Sequence, residues 1–302
     1  MVAWLIKFGT LVFKHSEFDV RFGAFVSWFV AAGFCFGFAR NMFDKKTAFQ
    51  TVLFISLLPL FFFVAGFFIM PDVPLLAAWA GALFFLERAL LADRRLAWWG
   101  VGICFGLGMF SKYTIVLLGL AILLFILLDK PSRRWLLCSE PYVAMILAVI
   151  IFTPVIFWNA NNNWASFFFQ SIRRFSAGPK FSLPTLIGSA LILLTPLGAI
   201  GVVQPIFNKR IWSDQTGTFE TSALRKRLFS LVFTLVPLFM FALFSIKHQP
   251  KLNWTCPIWL AILPAFAKYS LPDESFTSFR RRTLWQRFSM STLIVLACIY
   301  GG

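Results

Sequence analysis

The chain has 302 residues, of which 59% are hydrophobic and only 13% charged, with 40 Phe, 12 Trp and a formal net charge of +16; its mean hydropathy is +0.79. A soluble domain carries about 25% charged residues and rarely repeats long apolar runs, whereas lipid forces the backbone to satisfy its own hydrogen bonds in helices about 20 residues long. A soluble enzyme is excluded, and the fold class is an all-α polytopic membrane protein.

Residues 1–22 read as a juxtamembrane segment at the outer surface, and they lack a signal peptide's basic start and small-residue cleavage site. Apolar segments follow near 23–39, 48–69, 73–91, 96–110, 113–128, 141–158, 183–206, 228–246, 255–267 and 288–300. About ten transmembrane helices are therefore expected, in one domain over 1–302 whose bundle fills 23–300. The run 97–128 is too long for a single helix of ordinary span, at 1.5 Å per residue against a hydrocarbon core of about 30 Å. Two helices meeting at Ser111-Lys112 keep the connections 40–47, 88–95, 129–140, 207–227 and 268–287 on one side, and most of the 28 Lys and Arg with them. One continuous helix would erase that bias, so two helices and a basic cytoplasmic side are expected. The odd consequence is that the chain starts outside with no span before it. The short apolar stretch at its end adds to that, and a segment of a longer protein, incomplete at both ends, is expected.

The charge lies in short loops between spans, which points to topology and anionic lipid head groups, not to nucleic acid. The five cysteines are scattered without a C-x-x-C, and His15 and His248 are far apart, so neither a disulfide framework nor a metal site is expected.

The side opposite the basic loops collects the unusual residues. Asp72, in IMPDVPLL, suits the N-cap of a helix beginning near Val73, with Pro74 in its first turn. Lys112 and Tyr113 occupy the break between the fourth and fifth spans, where Lys112 is either a snorkelling side chain or a phosphate ligand. WNANNNWASFFFQSIRRFSAGPK follows the sixth span and KHQPKLNWT separates the eighth from the ninth. Trp158, Trp164 and Trp254 suit an interfacial aromatic belt. The asparagines suit turns or sugar hydroxyls. Arg173, Arg174, Lys247 and Lys251 form either a solvated rim or a phosphate site, since cationic donors pair strongly with phosphate.

Several of these stretches, in order, resemble the bacterial glycosyltransferase family 39 type, which includes aminoarabinose-transferase-like and protein-mannosyltransferase-like enzymes of the GT-C fold. They are VAWLIKFGTLVFKHSEFDVRFGAF with its Arg21, then IMPDVPLL, GLGMFSKYTIVLL, PVIFWNANNNWASFFFQ and KLNWTCPIWLAILP. The resemblance implies transfer of a sugar, with inversion, from a polyprenyl-phosphate donor to an acceptor on the outer face of the plasma membrane. That acceptor would be lipid A, another envelope glycan or a protein. Fixed cations would stabilise the leaving lipid phosphate, and a carboxylate would take the acceptor proton.

The family's acidic base lies in a loop that precedes the segment matched at Met1. No catalytic residue is therefore assigned, and residues 1–302 alone are expected to transfer no sugar. Glu17 and Asp19 fall in the wrong part of the pattern, and Asn162 stands where relatives often carry histidine. The resemblance makes Arg21, Asp72, Lys112, Tyr113, Asn159, Arg173, Arg174, Lys251 and Asn253 the candidate substrate-binding residues, with no metal or other cofactor. Asp72, Lys112, Asn159 and Lys251 are expected to converge on one pocket, with Asp72 both capping its helix and shaping the cavity. The alternative function is a flippase for a polyprenyl-linked sugar, which should place polar residues along its helices near the bilayer midplane; an inactive remnant of a transferase is a third reading.

Overall fold

The computed structural model describes residues 1–13, 17–62, 70–169, 180–212, 221–249, 251–270 and a few positions between 291 and 298. Their regular structure is helical: α1 (Val2–Phe13), α2 (Glu17–Met42), α3 (Lys45–Leu57), α4 (Asp72–Leu90), α5 (Ala97–Ser111), α6 (Val116–Leu128), α7 (Glu140–Asn161), α8 (Leu183–Phe207), α9 (Thr221–Lys247) and α10 (Leu263–Ser270). The central helix is α4, which packs between α2 and α5, and α5 in turn carries α7. Gly102 and Gly106, one turn apart, bring α5 and α7 close together. A Cβ on Gly102 would lie 2.6 Å from the Ala144 carbonyl oxygen, and one on Gly106 would lie 2.6 Å from Ile151 Cβ. Small residues spaced in this way are how helices approach in lipid, where apolar burial gives little drive. On the other flank, α9 packs on α6 through Phe229, whose ring centroid is 5.6 Å from that of Phe125 and 4.3 Å from that of Phe233. The outer flank of α7 is bare and apolar, with Met145, Ile146, Val149, Ile150 and Phe157 all exposed, as a lipid-facing surface requires.

The break expected at Ser111-Lys112 is present. α5 ends at Ser111, Lys112 is extended (φ −159°, ψ 130°), and a 3-10 turn at Tyr113–Ile115 leads into α6. Other expectations differ. The count of ten spans is not reached among the described residues: four helices are long and apolar enough to cross a membrane, or up to six if two bent pairs each count as one. The segment 255–267 is not one regular α-helix. It is a 3-10 helix, Leu252–Ala261, followed by the short α10, with Cys256, Ile258, Leu260 and Phe266 almost wholly buried. Pro257 and Pro264 each remove a backbone donor from the segment, which works against one regular helix there. The run 48–69 breaks at Leu58, where the following Pro59 disfavours the helical region; its last seven residues lie outside the described residues. α8 bends by 104° at Thr195, which precedes Pro196. Within 1–22 the described residues include α1 and the start of α2; α1 lies against α2, with Phe8 and Phe22 rings stacked at 6.3 Å. The segment 288–300 is described only at scattered positions.

Contacts sort the connections into two ends, and the sorting matches the alternation read from the charges. Asp72, Lys112, Ser166, Lys180 and Asn253 share one end. Met42, Leu90, Asp129, Ile206 and Lys268 share the other. That second end is fastened by three consecutive cations of α9. Arg225 forks onto the Asp129 carboxylate (Nε–Oδ1 2.9 Å, Nη2–Oδ2 2.8 Å) and donates to the carbonyl of Leu90, the last residue of α4, at 2.6 Å. Lys226 donates to the carbonyl of Met42, the last residue of α2, and Arg227 to that of Ile206 near the end of α8, each at 2.8 Å. The last carbonyls of a helix have no partner within it and carry its negative pole. One basic triplet therefore closes three helix ends. Arg225→Met should leave the buried Asp129 carboxylate unpaired and lower stability by about 3 kcal/mol. Thermal unfolding of the purified protein in detergent would show this, and adding Asp129→Leu should recover much of the loss.

Candidate functional site

At the first end, three connections meet around one carboxylate. Asp72 is the first residue of α4, with Pro71 as the N-cap and no side-chain capping bond. The expectation that Asp72 caps its own helix is therefore corrected. Its carboxylate points away from the helix and receives Lys112 Nζ on Oδ1 at 2.6 Å and Asn253 Nδ2 on Oδ2 at 2.9 Å. It still gains from the positive pole at the start of α4. Ser111 Oγ donates to the Pro71 carbonyl at 2.6 Å, tying the end of α5 to the turn before α4. Lys112 Nζ also lies 5.3 Å from the centroid of the Trp254 ring. A cation over an indole face is attracted by the ring quadrupole.

These groups border a cavity of about 800 Å³. Met70, Asp72, Ser111, Lys112, Tyr113, Lys251 and Asn253 supply one part of its lining, and Val116, Leu117, Val155, Met240, Phe241 and Phe244 supply an apolar part. The Lys112 ammonium is held by Asp72, so the cavity has a cation fixed in place at its edge. The apolar part suits hydrocarbon.

Of the other sequence candidates, Asn159 does not line the cavity; it is fully buried behind it. Its Oδ1 accepts from Ser166 Oγ at 2.6 Å and from Ser166 N at 3.1 Å, while its Nδ2 donates to the Val155 carbonyl at 2.8 Å. Its own carbonyl accepts from Trp164 N at 2.8 Å. Asn163 and Trp164 both adopt positive φ (50° and 55°) to turn the chain back. The turn brings Ser166 Oγ within 3.1 Å of Tyr113 Oη, and the Tyr113 ring stacks on Phe167 at 5.4 Å. Asn159 thus organises the support behind Tyr113. Arg21 is exposed on α2 and is not among the described residues lining the cavity. Arg173 and Arg174 lie outside the described residues. Ser111 and Ser166 were not singled out from the sequence; their only signal there is adjacency to the break and to the asparagine cluster. Among the described residues, no group of three or more His, Cys, Asp or Glu could hold a metal ion.

A family model described as dolichyl-phosphate-mannose-protein mannosyltransferase matches residues 1–158, just over half of the chain. The chain belongs to that family. The match includes Asp72, Lys112 and Tyr113, and it stops before Lys251 and Asn253. Two curated relatives are named undecaprenyl phosphate-alpha-4-amino-4-deoxy-L-arabinose arabinosyl transferase 2. The one from Proteus mirabilis is 27% identical over 282 residues, covering 89% of this chain and 48% of the relative. The one from Pseudomonas fluorescens is 28% identical over 288 residues, covering 86% and 45%. Two crystal structures of ArnT from Cupriavidus metallidurans have the same fold over this chain. The apo state gives a TM-score of 0.69 at 20% identity, covering 98% of this chain and 52% of that one. The state bound to undecaprenyl phosphate gives 0.71 at 19%, covering 99% and 53%. The chain spans about half the length of the relatives it matches.

Asn159→Ala should release Ser166 and loosen the turn behind Tyr113, at a cost of about 1–3 kcal/mol for the buried donors and acceptors left unpaired. Limited proteolysis is the check: cleavage within 159–169 should rise, while the fragments covering α4 and α5 persist.

Proposed function

We propose that this chain forms the donor-binding part of an inverting membrane glycosyltransferase. It takes a sugar from a polyprenyl-phosphate carrier and delivers it to an acceptor at the outer face of the plasma membrane, an envelope glycan, lipid A or a protein. The observation that carries this reading is the Asp72–Lys112–Asn253 assembly, a fixed cation and a polar edge facing a cavity with an apolar side. That pairing fits a ligand with a phosphate at one end and hydrocarbon at the other. Membership of the family, relatives named as arabinosyl transferases, and a neighbour of the same fold bound to undecaprenyl phosphate support it.

Lys112 would neutralise charge that develops on the phosphate as the sugar leaves, the kind of fixed electrostatic help worth most where water is excluded. Lys251, exposed at the cavity, would meet the phosphate from a second side. Asp72, already accepting from Lys112 and Asn253, would orient the cation; the proton-accepting base is not assigned to this chain. A flippase is disfavoured because the charged groups described in the membrane-length helices lie toward their ends, Asp72 at one end of the bundle and Glu87 and Arg225 at the other.

Binding of undecaprenyl phosphate to the purified chain tests the reading. Lys112→Met keeps most of the apolar stem and removes the charge. It should weaken binding by roughly 10- to 100-fold, as expected for a lost hydrogen bond to a charged group. Lys45→Met, exposed at the opposite end and away from any proposed lipid contact, should leave binding unchanged. Equal behaviour of the two variants would sink the reading. Orientation is tested separately by an impermeant thiol reagent on intact cells, with Cys138 and Cys298 replaced by serine. A cysteine at position 162 should be labelled and one at position 134 shielded; the reverse would put the cavity end in the cytoplasm.

A further inference from the structure

At the end opposite the cavity, residues 130–136 form a 3-10 helix bent by 120° from the preceding helix, so this segment runs across the end of the bundle instead of through it. Trp135 is its anchor, buried against Trp98 with ring centroids 5.5 Å apart. The start of α5 lies alongside, joined by the Arg134–Asp93 pair and by Arg95–Glu140 at 3.2 Å. Arg94, Lys130 and Arg133 are exposed on the same shelf. The Arg133 Nε donates to the Leu127 carbonyl at 3.0 Å, which fixes that guanidinium beside the end of α6.

Between these cations stand bare apolar side chains: Leu137 is 94% exposed, Leu96 82% and Trp99 53%. A single exposed leucine is ordinary. Two leucines and a tryptophan beside five cations and two already paired carboxylates, at the end of apolar helices, make an interfacial amphipathic surface. Trp favours the head-group level, and cations there are attracted by anionic lipid.

We propose that this shelf is a binding site for an anionic phospholipid of the adjoining leaflet. Arg94, Lys130 and Arg133 meet its phosphate head group, and Leu96, Trp99 and Leu137 lie against its acyl chains. The site is separate from the cavity and does not depend on the transferase reading.

Native mass spectrometry of the purified chain, in mixed micelles of detergent with equal phosphatidylglycerol and phosphatidylcholine, tests it. The unaltered chain should retain phosphatidylglycerol preferentially. The triple variant R94Q/K130Q/R133Q should lower that preference at least about fivefold, roughly the contribution of one surface cation. The matched triple R40Q/K45Q/K46Q, at the same end but off the shelf, should change it by less than about twofold. No loss in the first triple, or equal loss in both, overturns the proposal. If the first triple folds poorly, L96S/L137S decides, because both leucines are bare: reduced retention supports the site, and unchanged retention overturns it.

Discussion

The cavity end depends on one contact, the Lys112 ammonium on the Asp72 carboxylate at 2.6 Å. It joins the start of α4 to the break between α5 and α6, and Asn253 adds the 3-10 element on the other carboxylate oxygen. A half-dry ion pair is poor value as glue, because desolvation offsets much of its attraction. What it supplies is position. Lys112 cannot continue α5, since its backbone is extended, and the helix that would otherwise cross the site is interrupted there. The interruption opens room for the cavity and leaves a cation at its edge. The Trp254 ring holds that cation from another side.

The opposite end is built on a different principle. There the cations of α9 are spent on carbonyls and on Asp129, closing the ends of α2, α4 and α8. Satisfied helix ends make a stiff base. The polar groups at the cavity end face a void. A rigid base with an open, polar mouth suits a scaffold that presents fixed groups to a ligand entering from one side. Asn159 extends the same economy outward: one buried amide fixes a turn, and the turn supports Tyr113 from behind.

Much of this was legible in the sequence, for identifiable reasons. The break at Lys112 could be read because 32 apolar residues exceed a bilayer as one helix and because the basic loops alternate only if it is broken. The grouping of Asp72, Lys112 and Lys251 followed from their positions at span ends, whereas Asn159, grouped with them, does not line the cavity and Asn253, outside that grouping, does. The capping role given to Asp72 failed because its partners are tertiary, 40 and 181 residues away, and a local rule cannot see them. The irregular form of 255–267 was not read because its composition suits a regular apolar helix; only Pro257 and Pro264 hinted at it. The triplet at 225–227 passed as an ordinary basic cluster, since nothing local distinguishes a cation in water from one seated on a carbonyl. Asn159 drew notice for its place at a span end, and its part in holding the 159–166 turn could not be read from the sequence.

The most direct test of the central claim is to locate the lipid phosphate itself. A polyprenyl phosphate carrying a photoreactive group next to the phosphate, bound to the purified chain and irradiated, will mark the peptides it touches. The account requires label on residues 109–117 and 251–254, around Lys112 and Asn253, competed away by unlabelled undecaprenyl phosphate. Competable label confined to residues 88–97 and 129–137, at the basic end, would contradict it.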